Sequence, residues 1–198
     1  MLKLSRIAQS MVKYAMAYIL TGSQIAMAEI DPALAQAERF VDAFYSFQPS
    51  PLNEMLGQAE SSKPEILFYQ GWAEGAEYKI VKRNPCTWER EYENPDDENQ
   101  MRVVCRIKVA DNLIKALELD IHVTDVFTLI LDGNFITKVS TSSDDPEEFW
   151  AARDWVVENR PDLFTSVCKG LFNGGPTPGL CAQAFIEGFA AYRQQKDQ

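Results

Sequence analysis

The sequence predicts an α+β fold, on three observations. An apolar stripe at helical spacing comes first, two stretches of period-two alternation follow, and two aromatic-rich helical patterns close the chain. The clearest alternation is Ile121 to Ser140. Ile121, Val123, Phe127, Leu129 and Leu131 share one face of a strand, and Asp132-Gly133 reads as the turn into a second strand. Asp125 is the one polar side chain on that apolar face. It either lines a pocket or sits at a wet strand end.

The first helix opens at Asp31-Pro32, a cap followed by a proline suited to the first helical position. Behind it Leu34, Ala37, Phe40, Val41, Phe44 and Tyr45 form the apolar stripe. Pro49-Ser50-Pro51 interrupts, and Ser50 is expected to cap a short second helix through Leu52, Met55, Leu56 and Ala59. Pro64 separates this from Ile66-Leu67-Phe68-Tyr69, read as a short buried strand. Residues 70–75 read as a bend or a single helical turn. One long strand is expected over 78–92, paired with 100–109. Its buried face carries Tyr78, Ile80, Cys86 and Trp88 against Met101, Val103, Cys105, Ile107 and Val109, and its other face is charged. Residues 111–117 have helical character. Asp145-Pro146-Glu147-Glu148 reads as a capping box for a helix running to Pro161. Thr177-Pro178 reads as the cap of a last helix, with Leu180, Ala184, Phe185, Gly188, Phe189 and Tyr192 on one side.

The chain has 198 residues, and residues 1–28 read as a signal peptide. Lys3, Arg6 and Lys13 form a basic start, residues 14–21 an apolar run, and Ala26-Met27-Ala28 a small-x-small cleavage site. A signal beginning at Met11 would still be complete. The apolar run is too short to span a bilayer, so no stable membrane anchor is expected after cleavage. Residues 29–198 then form a single domain. All 29 acidic side chains lie there with 16 of the 19 basic ones, a formal charge of −13. Such a balance argues against binding nucleic acid, which requires clustered cations.

Four cysteines agree with export to an oxidising periplasmic or extracellular space. Cys86 and Cys105 are equidistant from the centre of the 94–99 turn, so a symmetric hairpin places them opposite each other, within reach of a disulfide. Cys168 and Cys181 bracket a second loop. Of three connectivities, 86–105 with 168–181 is expected. No C-x2-C pair or histidine cluster suggests zinc, and no calcium loop or P-loop is present. Neither metal nor cofactor is expected. His122, the only histidine, falls on the strand face opposite Asp125, which weakens any nucleophile–histidine arrangement.

Three segments, AERFVDAFYSF (37–47), Phe68-Tyr-Gln-Gly-Trp72 and TDVFTLILDGNFITKV (124–139), resemble the nuclear-transport-factor-2-like superfamily, especially its SnoaL-like branch. The resemblance covers about residues 30–145 and excludes the two C-terminal helices. It implies a curved antiparallel sheet wrapped around the first helix as a cone with an open mouth. Superfamily members include ketosteroid isomerase, scytalone dehydratase, limonene epoxide hydrolase and polyketide cyclases, while others only bind ligands or partners, often as homodimers packed through the sheet. Fold therefore does not determine function.

On this resemblance Asp125 faces the cone interior, with Phe127 and Ile136 beside it. An apolar surrounding would raise its pKa and suit it to general acid/base work. Tyr45 and Tyr69 are candidate donors into the same space. Phe44, Trp72 and Trp88 would complete an aromatic wall for an apolar or amphipathic ligand. Three readings follow: a small-molecule or partner-binding protein, a cofactor-free lyase, isomerase or hydrolase using Asp125, or an interaction protein whose cone is filled by its own side chains.

Overall fold

The computed structural model describes residues 31–89, 100–169, 178–196 and 198. The expected signal peptide, the 94–99 turn, most of the 173–179 loop and the Thr177 cap lie outside the described residues. The rest is α+β, with a five-stranded, open antiparallel sheet.

Helix α1 (Pro32–Tyr45) starts where expected, with the Asp31 carboxylate accepting the Ala33 N–H at 2.9 Å. Its buried stripe of Ala37, Phe40, Val41 and Phe44 meets Phe127 of the sheet, with Phe44 and Phe127 ring centroids 4.7 Å apart. Helix α2 (Pro49–Met55) begins two residues early, because the fixed φ of Pro49 opens it. Ser50 lies inside the helix and does not cap it.

The expected strand over 66–69 is instead part of α3 (Lys63–Gly75). Pro64 is an opening residue of that helix, and Ile66, Gln70 and Ala73 bury one face at i, i+4 and i+7. Four apolar residues in a row satisfy a buried strand and a buried helix equally well. Gln70 does much to place α3: its side-chain N–H groups donate to the carbonyls of Ala43 (3.0 Å) and Phe44 (2.9 Å) at the end of α1.

The expected 78–92 strand is broken into β1 (Lys79–Arg83) and β2 (Thr87–Trp88), both pairing with β3 (Gln100–Ala110). Pro85 has no N–H to give the ladder, and a register shift falls between Ile80 and Lys82. Ile80 pairs with Val109 but lies on the edge strand, where it stands 42% exposed instead of joining the core. Beyond the break the symmetric register holds. Thr87 pairs with Val104 and Trp88 with Val103, so Cys86 opposes Cys105 and the two are disulfide-bonded.

Asp111 caps α4 (Asn112–Ala116) by accepting the N–H groups of Leu113 and Ile114. In β4 (Val123–Asp132) burial alternates throughout. Ile121 precedes the strand and is exposed, so it does not belong to the inner face. Asp132 pairs with Phe135 at the start of β5 (Phe135–Ser143), which makes Gly133-Asn134 the two loop residues, one position later than expected. Gly133 takes a φ of 55°, as the first central position of a tight hairpin turn requires.

Three helices follow: α5 (Glu147–Asn159), α6 (Asp162–Thr165) and α7 (Pro178–Lys196). The capping box is not formed. Asp145 accepts the Ser143 hydroxyl instead, and α5 opens at Pro146 without a side-chain cap. Helix α7 turns Cys181, Ala182, Phe185, Gly188 and Phe189 inward, whereas Leu180 is exposed. It approaches α3 closely at Gly75 and Gly179, where a Cβ on Gly75 would fall on the Gly179 backbone. It meets α5 at Gly188, whose added Cβ would collide with Val156. The Cys168–Cys181 disulfide ties the approach to α7. Among the described residues no helix is long and apolar enough to cross a membrane.

Candidate functional site

Asp125 sits on the inner face of β4, opposite Ile107 of β3 and Ser143 of β5. It is only 2% exposed, so it is no wet strand end. The Tyr45 hydroxyl donates to its Oδ2 at 2.6 Å. Burial pushes the Asp125 pKa up to about 7; the Tyr45 hydrogen bond opposes this, and the charges of Asp145 and Asp111 add to it. Tyr45 is held far above the usual phenol range, first by burial and then by the Asp125 charge.

Two more tyrosines belong to this polar group. Burial raises Tyr69, on α3, with the Asp125 charge adding and the nearby Ser143 hydroxyl opposing. Tyr78 is raised by burial and then by Tyr69 and Asp125. Asp111 is lifted to about 6 by burial against the pull of its two cap hydrogen bonds. A buried carboxyl at such values can hold or release a proton near neutrality.

Beside this group lies a cavity of about 450 Å³. Helix α3 supplies Glu65, Phe68, Tyr69 and Trp72; β5 supplies Thr141, Ser142 and Ser143; α5 supplies Phe149, Trp150 and Arg153. Phe185 of α7 closes one side, with its ring 5.5 Å from that of Trp72. Trp150, 47% exposed, stands at the mouth. One wall is therefore aromatic, and the β5 side, with Tyr69, Ser143 and Asp145, is polar.

Of the residues singled out from the sequence, Tyr69 and Trp72 line this cavity. Tyr45 and Asp125 are joined to each other behind its wall. Phe44, Phe127 and Ile136 are not ligand-facing here: they are at most 1% exposed and form the core between α1 and the sheet. Trp88 is half-buried on β2, away from the cavity, and His122 is exposed just before β4.

No family model matches this chain, no curated protein is similar to it, and no solved structure matches its fold.

The site is thus described by its own chemistry. Sequence reasoning missed Ser143, Asp145, Phe149, Trp150, Arg153 and Phe185. The last four belong to the C-terminal helices, outside the stretch that prompted the cone expectation. One signal was present: Phe149, Trp150 and Arg153 recur at i, i+1 and i+4, which puts two rings and a cation on one side of a helix. Among the described residues no group of three or more His, Cys, Asp or Glu side chains is arranged to hold a metal ion.

Proposed function

We propose that this chain is an exported protein that binds a small apolar or amphipathic molecule in the α3–β5–α5 cavity. The observation that carries this reading is the cavity itself, which has the size and the mixture of aromatic wall and few polar groups typical of ligand sites. The two disulfides, with no free cysteine, support an oxidising compartment. The packing of Phe40 and Phe44 of α1 against Phe127 supports a nuclear-transport-factor-2-like cone, with the C-terminal helices forming a second wall. Pairing of two copies through the sheet draws no support from its outer face. Lys82, Arg106, Lys108 and Lys138 stand exposed there, and a two-fold axis would set like charges against each other.

Native mass spectrometry of protein exported by its own cells tests the reading. A bound mass is expected in the native protein and absent from a Thr141→Trp variant of unchanged circular dichroism, since that side chain fills the cavity. Native protein that carries no added mass and binds no apolar fluorescent probe would end the proposal.

A second reading is a cofactor-free lyase, isomerase or hydrolase. It is favoured by the Asp125 carboxyl, poised near neutrality with a phenol as partner. Asp125 is not on the cavity wall, so Tyr69, which lines the cavity and feels the Asp125 charge, would be the group that meets a substrate. Turnover of the retained compound that survives in both Asp125→Asn and Tyr69→Phe would eliminate this reading.

A further inference from the structure

We propose that the cavity takes an organic cation: an ammonium head set against Asp145, on an apolar body lying between Trp72 and Phe149. The proposal rests on the small-molecule reading above and assigns that molecule its charge.

Three features of the cavity converge on positive charge. Rings dominate the walls, with Phe68 and Trp72 from α3 facing Phe149 and Trp150 from α5. The negative faces of aromatic rings attract a cation, most strongly where water is excluded. Two carboxylates, Glu65 and Asp145, also line the cavity. Asp145 accepts one hydrogen bond, from Ser143, and no cation pairs with it among the described residues. Behind it stand Asp111 and Asp125, likewise without an ion-pair partner among the described residues. Carboxyl groups thus outnumber cations in and immediately behind the cavity. Burial raises all three of these carboxyls, and the Asp145 charge adds to the rise at the other two, which a bound cation would relieve.

The third feature is the chain's own cation. The Arg153 guanidinium lies over the Trp150 ring, 5.5 Å from its centroid, and pairs with Asp154. One positive group thus already rests against the aromatic wall near the mouth, while the end at Asp145 is left for a second. An anionic head placed there would meet carboxylates; a neutral one would gain ring contact without the charge. An ammonium gains both ring contact and charge pairing, and it can donate a hydrogen bond to Asp145 if it carries an N–H.

Three probes that share a phenylethyl body separate these cases. They are phenethyltrimethylammonium, the neutral 2-methyl-4-phenylbutan-2-ol and 2-phenylethanesulfonate, each titrated calorimetrically into the full-length protein. The cation is expected to bind about 10-fold or more tighter than the alcohol, and the sulfonate most weakly. Asp145→Asn is expected to remove most of the cation's advantage and leave the alcohol unchanged. Glu65→Gln, at a more exposed position, serves as a second variant and should weaken only the cation, by a smaller factor. Equal or tighter binding of the alcohol or sulfonate would overturn the charge assignment and leave the cavity reading standing. Cation preference that persists in both variants would also overturn it. If none of the three binds saturably, the charge assignment fails, while the cavity reading is decided separately by the native mass.

Discussion

Tyr45 of α1 donates its hydroxyl to Asp125 of β4 across 80 residues of chain, at 2.6 Å. The bond joins the first helix to the middle of the sheet, within a buried polar group that also includes Tyr69 and Tyr78. An ionised carboxylate there needs a donor, and a buried phenol needs an acceptor, so each residue accounts for the presence of the other.

Removing the donor should therefore leave its mark on the acceptor. Tyr45→Phe keeps the ring against Phe44 and Phe127 but leaves Asp125 without this hydrogen bond. The expected loss is about 1–3 kcal/mol above neutral pH, read by urea unfolding. The Asp125 carboxyl, followed by carbon NMR, should titrate at higher pH than in the native protein. A lower or unmoved titration would show that the bond does not stabilise the carboxylate.

The raised carboxyls give stability a definite slope with pH. Asp125 folded titrates near 7, above the ordinary value of 3.8. The folded state therefore binds more protons than the unfolded state between these values. The stability contribution is complete below about pH 4 and is lost as pH rises through 7, with Asp111 adding to the fall up to about 6. Asp125→Asn should flatten most of this slope and raise stability at pH 8 by up to roughly 4 kcal/mol, an upper figure set by the size of the pKa difference. Unfolding curves at pH 4, 6 and 8 provide the check. A native slope that rises over this window would contradict the burial of Asp125.

Much of this arrangement was legible in the residues. The alternation of β4 needed only the period of two, and it placed Asp125 on the buried face because one side of the sheet is dry. The Cys86–Cys105 pair followed from symmetry about a turn, and it survived because the break at Pro85 lies on the far side of the disulfide from that turn. Other parts were closed to such reasoning. Ile66 to Tyr69 reads alike as strand or helix until Gln70 is seen holding the end of α1. The cavity is made where α3, β5 and α5 meet, and its closing wall depends on Gly75 and Gly179 letting two backbones touch. No local pattern announces a tertiary contact of that kind.

Gln70 offers a direct test of the α1–α3 connection. Gln70→Leu fits the same space but leaves the Ala43 and Phe44 carbonyls without their side-chain donor. A cost of about 1–3 kcal/mol is expected, seen as a lower urea midpoint with unchanged slope. An unchanged midpoint would mean that these carbonyls find other partners.

The glycine contact offers another. Gly75→Ala would place a methyl group on the Gly179 backbone and push α7 from α3. Overpacking of this kind costs about 1–3 kcal/mol. It should also weaken binding in the cavity, because Phe185 is carried on α7. Gly133→Ala, strained by its positive φ but remote from the cavity, should lower stability and leave binding intact. Equal effects of both variants on binding would separate the cavity from the α3–α7 contact.

The most direct measurement is a crystal structure of the protein purified from its own cells, together with any compound that co-purifies with it. The expected result is ligand density between Trp72 and Phe149, reaching towards Tyr69 and Asp145. Density at another site, or a cavity closed by Trp150 and Phe185 in protein shown to carry a bound mass, would contradict the account.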